Sequence, residues 1–311
     1  MNPLEMSTID FLTYFPLPFI VGCVILGLII GSFLNVVIYR LPKMLDRQWR
    51  AQCAELGGAN AETITAEPTF NLVVPRSCCP SCKKPIKAWQ NIPVISWLLL
   101  RGRCAACNAP ISGRYPLVEA LTAVLFGIVA WKFGIGWSGA AALVLTAFLV
   151  AVTFIDVDHQ LLPDVLTLPL LWLGLAFSLW HPGMPAIVLE SHLSLPVDLR
   201  SSVIGAIAGY LSLWSVYHLF RLATGKDGMG YGDFKLLAAL GAWLGWKMLL
   251  PIVLVSAVVG AVVGIVLLST QRQNRSTPIP FGPFLAAAGW IMLVFGPELV
   301  DRYLGFFGPG P

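Results

Sequence analysis

The chain has 311 residues, of which 57% are hydrophobic and only 12% are charged. Soluble globular proteins are typically about 45–50% apolar and about 25% charged, so this composition indicates a protein that lies mostly in lipid. It excludes intrinsic disorder, because the charge is too low and the aromatic content of 11% is too high. The formal net charge is only +4, and in a membrane protein a small excess of basic residues usually reflects the orientation of the chain in the membrane. We therefore expect membrane lipid, and no nucleic acid, as a partner.

Eight mostly apolar segments are candidates for membrane-spanning helices, which need roughly 20 such residues. Approximately, they are 17–39, 115–134, 138–155, 165–181, 201–220, 235–249, 250–269 and 281–299. The first segment lacks the basic start and the small-residue cleavage site of a signal peptide, so we expect it to be retained. The sequence therefore predicts an all-α polytopic membrane protein with about eight transmembrane helices.

The positions of the basic residues predict the orientation of the chain. Eleven Lys and Arg lie from Arg40 to Arg114, and five more fall on the same side if the spans alternate. The other four of the 20 fall on the opposite side. Because cytoplasmic loops of membrane proteins are enriched in Lys and Arg, we expect residues 40–114 to be cytoplasmic.

Residues 40–114 form the soluble module of the predicted fold, between a first helix at 1–39 and a membrane core at 115–311. A module of this size is too small to be stabilised by a large hydrophobic core alone and usually needs a metal site or disulfides. It contains two Cys-x-x-Cys knuckles separated by 21 residues. The knuckle cysteines are Cys79, Cys82, Cys104 and Cys107. Two ligands from each tight turn suit tetrahedral Zn²⁺, so we predict a structural zinc site in a zinc-ribbon-like insert. Two disulfides are the alternative, which a cytoplasmic location disfavours.

Ionisable side chains at membrane depth are costly and are therefore candidates for chemistry. They are Glu119, Asp156, Asp158, Asp164 and Asp233. Asp156 ends the third predicted span and Asp233 opens the sixth, so both are expected at cytoplasmic helix ends. The glycines from Gly228 to Gly232 permit an irregular backbone, which at this depth must be buried in protein or line a water-filled cavity. Two carboxylates at one depth predict an aspartyl dyad, in which one acid is protonated and the other activates a water.

Each of these acids also has a structural interpretation. Asp164 follows a proline and precedes an apolar run, which favours an N-cap, and Asp233 taken alone fits the same role. Glu119 lies near the start of the second span, where a helix N-terminus favours negative charge. Asp158 fits a solvated loop charge.

Two other functions also place carboxylates in membranes. A Mg²⁺-dependent polyprenyl-phosphate phosphotransferase has aspartates at cytoplasmic helix ends, but its phosphate site should add cations, and here only Lys226 and Lys235 qualify. A proton-coupled transporter uses intramembrane carboxylates, but transporter sites usually lie near the bilayer midplane.

Several motifs together resemble the bacterial type IV prepilin peptidases, from about residue 27 to about residue 290. They are Gly230-Tyr231-Gly232-Asp233, the Asp156 segment running on to Leu162-Pro163-Asp164, the paired knuckles, and Gly31-Ser32-Phe33-Leu34-Asn35-Val36-Val37-Ile38-Tyr39-Arg40-Leu41-Pro42. The resemblance implies a bifunctional enzyme of the cell inner membrane. Such an enzyme cleaves the basic leader from prepilins and type II secretion pseudopilins on the cytoplasmic side, then N-methylates the new N-terminal residue with S-adenosylmethionine.

By this resemblance, the catalytic aspartates are Asp156 and Asp233, and the cysteine tetrad consists of the four knuckle cysteines. The methyl donor rests on the resemblance alone, because no phosphate-binding glycine motif follows a predicted strand. Residues 52–68, which look like a flexible insert, and residues 181–199 are longer than the family needs and carry no identifiable site. The acids expected to receive a basic leader are Asp158, Asp164 and Asp227.

Overall fold

The computed structural model describes residues 16–56, 69–179, 195, 197–269 and 279–307. Within these ranges the chain is almost entirely helical, with two isolated β-bridges and no strand. The α-helices are α1 Pro16–Leu56, α2 Ile95–Leu99, α3 Arg114–Phe133, α4 Trp137–His159, α5 Asp164–Ser178, α6 Leu199–Thr224, α7 Tyr231–Leu244, α8 Leu249–Ser269 and α9 Gly282–Phe307. Most of the predicted insert at 52–68 and of the segment 181–199 lies outside the described residues.

Five stretches of the described chain are long and apolar enough to cross a membrane. They are α1, α3, α4, α6 and the run Trp246–Leu267, which contains most of α8. The prediction of an all-α, multi-pass membrane protein is therefore confirmed, with fewer full-length spans among these residues than the eight expected. The other three predicted spans correspond to α5 and α7, of 15 and 14 residues, and to α9, whose apolar part is Gly282–Gly296. At 1.5 Å per residue, α5 and α7 are about 21–23 Å long, shorter than a hydrocarbon core of about 30 Å.

Helix α1 continues far beyond residue 39, where the first span was predicted to end, and reaches Leu56. Its second half is polar, and Arg50 pairs with Asp46 one turn earlier at 3.0 Å. The end of an apolar run marks where a helix leaves lipid, whereas the helix itself continues until its backbone hydrogen bonds end. The position 39 therefore marks a change of surroundings within one continuous helix.

The chain divides into two compact units, residues 20–128 and residues 1–19 with 129–311. In the unit 20–128, α1 packs directly against α3 because two positions of α1 have no side chain. A Cβ on Gly27 would lie 2.7 Å from Ala123 Cα, and a Cβ on Gly31 would lie 2.7 Å from Glu119 Cα. Small residues of this kind allow membrane helices to approach closely.

In the unit that contains residues 129–311, the central element is α7, which is packed against α5, α6, α8 and α9. From Asp233 to Leu244 all but one of its residues are buried, and Phe234 and Leu240 are fully inaccessible. The indole nitrogen of Trp243 donates a hydrogen bond of 2.7 Å to the carbonyl of Leu170 in α5. This buried helix therefore holds Asp233, which lies in its first turn, in a fixed place.

Candidate active site and metal centre

Asp156 lies in the last turn of α4, and it is only 5% exposed. The helix is closed by Gln160, whose left-handed backbone allows its N–H to donate to the carbonyl of Asp156 at 2.8 Å. The backbone N–H of Gly282, the first residue of α9, donates to the Asp156 carboxylate. A Cβ on Gly282 would lie 2.5 Å from Asp156 Oδ2, so a side chain at this position would displace the carboxylate.

Asp233 is the third residue of α7, and it is 6% exposed. Its carboxylate accepts a hydrogen bond from the backbone N–H of Gly230, the N-cap residue, as an acid at the third helical position does in a capping box. Asp233 is therefore not itself the N-cap that its structural interpretation predicted. Asp233 Oδ1 is buried and has no hydrogen-bond partner among the residues that the structure describes. Such an atom is rare in native proteins and is typical of a catalytic group or of one that binds a water.

The two aspartates lie 77 positions apart in the sequence and meet around Leu162. A Cβ on Gly232 would lie 2.5 Å from Leu162 Cβ, and a Cβ on Gly282 would lie 3.1 Å from Leu162 Cδ1. The end of α4, the start of α7 and the start of α9 therefore converge at one point. Here the carboxylates of Asp156 and Asp233 are close enough to interact electrostatically.

The other acids near this site have partners or lie at the surface. Asp164 is the first residue of α5, following the N-cap residue Pro163, so it is not itself the predicted N-cap. Its carboxylate accepts hydrogen bonds of 2.6 and 2.8 Å from Lys235 Nζ, two residues after Asp233. Asp158 is exposed at the end of α4. A basic leader that bound Asp164 would have to compete with Lys235.

The loop between α6 and α7 is held against α6 by a hydrogen bond between two side chains. The hydroxyl of Tyr217, which is buried in α6, donates a hydrogen bond of 2.6 Å to Asp227 Oδ1. Arg221 Nε lies 3.5 Å from the same oxygen. The Tyr217 ring also packs on Tyr231 and Phe234, with centroid distances of 5.4 and 5.6 Å. No sequence motif pointed to Tyr217, although a tyrosine about two turns before the end of α6, on the side of the glycine-rich loop, was a signal that could have found it.

The four knuckle cysteines come together as one cluster. Their sulfur atoms all lie within 4.8 Å of one another, and Cys79 Sγ is 3.8 Å from Cys107 Sγ. All seven cysteines of the chain are free thiols. The backbone N–H groups of Cys82 and Ser81 donate to the Cys79 sulfur and lower the pKa of the Cys79 thiol to about 6. This set of thiols could hold one metal ion.

The two knuckles have the same local geometry. Lys83 donates its backbone N–H to the Cys79 carbonyl at 2.9 Å, and Asn108 donates to the Cys104 carbonyl at 2.9 Å. Both donors have left-handed backbones, with φ of 59° and 56°. An isolated β-bridge closes each turn, one from Cys78 to Pro85 and one from Arg103 to Pro110. The repetition explains how two separate turns present equivalent pairs of sulfur atoms.

Arg40, the basic residue of the long motif in α1, connects α1 to the chain that leads into the first knuckle. It is buried, and it donates hydrogen bonds of 2.9 Å to the carbonyl of Asn71 and 2.6 Å to that of Pro75. Its guanidinium also lies 5.8 Å from the centre of the Phe70 ring. The segment 70–75 therefore has a fixed place beside α1.

Two further polar side chains are buried in the unit 20–128. Glu119 Oε2 in α3 accepts a hydrogen bond of 2.7 Å from the backbone N–H of Val94. Asn35 Nδ2 in α1 donates a hydrogen bond of 3.0 Å to the carbonyl of Tyr115. Glu119 thus holds a loop of the cysteine module and lies in a different unit from the two aspartates.

Comparisons with known proteins place this chain beside one family of membrane enzymes. Residues 25–133 match the bacterial peptidase A24 N-terminal domain, and residues 143–265 match the type IV leader peptidase family. The prepilin leader peptidase/N-methyltransferase of Pseudomonas aeruginosa is 51% identical over 303 residues, covering 97% of this chain and 99% of the relative. The proteins of the same name from Aeromonas hydrophila and Neisseria gonorrhoeae are 55% and 49% identical, and the matches cover 94% and 92% of this chain and 95% and 93% of the relatives. No solved structure gives a significant match.

Proposed function

Since this chain belongs to the type IV leader peptidase family, we propose that Asp156 and Asp233 form the dyad with which it cleaves the leader from prepilins and from type II secretion pseudopilins. The enzyme is bifunctional, as the name of its relatives states, and N-methylates the N-terminus that cleavage exposes. The observation that carries the dyad is the meeting of two buried carboxylates at helix ends, one of which has an oxygen without a protein partner.

The chemistry follows from two neighbouring carboxyl groups in an apolar surrounding. Because two such groups cannot both be ionised at low cost, one of them keeps a proton. The ionised group takes a proton from a water, whose oxygen attacks the scissile carbonyl carbon, while the protonated group donates to the carbonyl oxygen. The tetrahedral intermediate then collapses, the C–N bond breaks, and the leaving amine receives a proton from the dyad. Asp233 Oδ1 is the carboxylate oxygen available to that water.

The test is a mass-spectrometric time course on a prepilin with added S-adenosylmethionine. We expect wild type to give a leaderless, methylated product, and Asp156→Asn or Asp233→Asn to abolish cleavage. Asp46→Asn is the matched control, because Asp46 is exposed on α1, in the other unit, and its loss should leave cleavage unchanged. Cleavage by either dyad variant would assign that aspartate a structural role only.

The cysteine tetrad fits a structural zinc ion, with Cys79, Cys82, Cys104 and Cys107 as ligands. Four convergent sulfur atoms suit tetrahedral Zn²⁺ and leave no open position for a substrate water. S-adenosylmethionine is the methyl donor when bound. We assign these cysteines a scaffolding role within a chain of three parts, the first transmembrane segment at 1–39, the cysteine module at 40–114 and the membrane core at 115–311.

The protein is proposed to lie in the cell inner membrane, with the cysteine module and both aspartates on the cytoplasmic side. Sixteen of its 20 Lys and Arg fall on that side when the predicted spans alternate, which supports the orientation. Labelling of the exposed Cys53 thiol with a membrane-impermeant maleimide tests it. The label should react in inverted vesicles and not in intact spheroplasts.

The two other functions considered from the sequence are not favoured. A phosphotransferase would need cations free to bind phosphate, yet Lys235 is bonded to Asp164. A transporter has no evident use for a cysteine module. Cleavage that persists after removal of Mg²⁺ would separate the peptidase from the phosphotransferase.

A further inference from the structure

The cysteine module carries an exposed apolar stripe on its short helix α2. Ile95, Leu98 and Leu99 have the i, i+3, i+4 spacing that places side chains on one helical face, and they are 52%, 61% and 77% exposed. The inward side of the same helix is occupied by Trp97, whose indole nitrogen donates 3.2 Å to the carbonyl of Ile111. The fold therefore partly buries a tryptophan on one side of α2 and leaves three large aliphatic residues exposed on the other, which is unusual for a surface in water.

The position of α2 along α3 is fixed by a buried carboxylate. Val94, the residue before α2, donates its N–H to Glu119 Oε2 at 2.7 Å. Glu119 is the sixth residue of α3, about 7.5 Å along the axis from the start of that helix at Arg114. Because α3 is long and apolar enough to span the membrane and Glu119 lies in its second turn, we expect this bond to hold α2 near the level of the bilayer surface.

The surroundings of the stripe are aromatic and basic. Trp89, 54% exposed, precedes α2, and tryptophan is enriched at the membrane interface. Directly after α2, an open cavity of about 480 Å³ is lined by two exposed arginines, Arg101 and Arg103, together with Leu100. Apolar residues next to cations form the pattern with which interfacial helices bind membranes that contain anionic lipids.

We propose that α2 and the cavity beside it form a membrane-docking surface, in which Ile95, Leu98 and Leu99 enter the boundary between headgroups and acyl chains. Arg101 and Arg103 bind the phosphate of an anionic lipid headgroup in the cavity. Docking orients the cysteine module on the bilayer. This surface does not depend on the assignment of the aspartyl dyad, because it uses only residues of the unit 20–128 and the span α3.

The test uses the full chain reconstituted in nanodiscs of phosphatidylcholine alone or mixed with phosphatidylglycerol. Leu99→benzoylphenylalanine introduces a photocrosslinker on the stripe, and Gln52→benzoylphenylalanine is the control. Gln52 is also exposed and lies on α1 about 18 Å along the helix beyond Arg40. After irradiation, mass spectrometry should find lipid adducts at position 99 and none at position 52.

The headgroup half of the proposal is tested in the mixed nanodiscs. The Arg101→Gln, Arg103→Gln double variant should lower the ratio of phosphatidylglycerol to phosphatidylcholine among the lipid adducts at position 99 by about fivefold for each arginine removed. The Lys43→Gln, Arg50→Gln double variant removes the same charge from α1 and should leave that ratio unchanged. Adducts with a second copy of the chain or with added prepilin, in place of lipid, would overturn the proposal, as would the absence of any adduct at position 99. An unchanged ratio in the arginine variant would overturn the headgroup site.

Discussion

At the scale of single residues, the absence of a side chain at Gly282 decides where the Asp156 carboxylate lies. We expect Gly282→Ala to lower the rate of prepilin cleavage on the order of 100-fold, because a Cβ 2.5 Å from Asp156 Oδ2 must move the carboxylate away from its partner. The measurement is the initial rate of leader removal at equal amounts of membrane-inserted protein. Gly264→Ala in α8 is the matched control, since its Cβ would meet Ile279 at an ordinary 3.5 Å. Equal rates for both variants would contradict this role of Gly282.

Cys79 gives a second prediction at this scale. We expect Cys79→Ser to lose the bound metal, because it removes one of four converging sulfur atoms. The measurement is zinc per chain by elemental mass spectrometry on the purified protein. Cys53→Ser is the control, because Cys53 lies in α1 outside the cluster and should keep a full equivalent. Full zinc content in Cys79→Ser would remove Cys79 from the ligand set.

The sequence reveals site residues that are energetically costly to place in lipid or that follow a strict spacing. It does not reveal residues whose role depends on how two helices pack. Asp156 and Asp233 attract attention because carboxylates are costly at membrane depth. Gly282 does not, since its importance depends on a contact between α4 and α9. The glycine run was expected to permit an irregular backbone. Gly228 and Gly230 do lie in the non-helical loop before α7, whereas Gly232 is helical and leaves room for Leu162.

At the scale of elements, the loop between α6 and α7 leads directly into the helix that carries Asp233. Its tie to α6 is the hydrogen bond from the Tyr217 hydroxyl to Asp227. We expect Tyr217→Phe to reduce kcat for cleavage about tenfold with little change in KM, because it frees the loop while keeping the ring that packs on Phe234. Steady-state kinetics on a prepilin peptide provide the measurement.

The control for this element is Tyr210→Phe. Tyr210 also lies on α6 and packs its ring edge-on against Phe234 at 5.9 Å, so the variant tests the loss of a hydroxyl from the same aromatic cluster. Its kcat should stay near that of wild type. A change in KM alone for Tyr217→Phe would place Tyr217 in substrate binding and not in the positioning of Asp233.

The helices could be predicted from apolar composition, but their lengths and depths could not. The segment 235–249 has the composition of a span, yet the helix there begins at Tyr231, ends at Leu244 and is buried against its neighbours. Burial in protein and burial in lipid select the same apolar residues, so hydropathy cannot separate them. The break at Gly245 was marked in the sequence by the polar Lys247 and by Pro251.

At the scale of the whole molecule, the candidate site residues are divided between the two units. Both aspartates and the residues that contact them lie in residues 129–311, whereas the cysteines, Arg40 and Glu119 lie in residues 20–128. The two matched family models divide the chain in nearly the same way, at 25–133 and 143–265. Since both residues of the proposed dyad lie in one unit, we expect the other unit to be needed for methyl transfer.

This division predicts opposite defects from substitutions in the two units. Asp156→Asn should abolish cleavage and still methylate a substrate supplied without its leader. Arg40→Gln should keep cleavage and lose most methylation, because it removes two hydrogen bonds that hold segment 70–75 beside α1. Lys43→Gln, one turn away on the same helix, controls for the loss of charge. Mass spectrometry of the two products separates the activities, and an equal loss of both in Arg40→Gln would show that the units do not work separately.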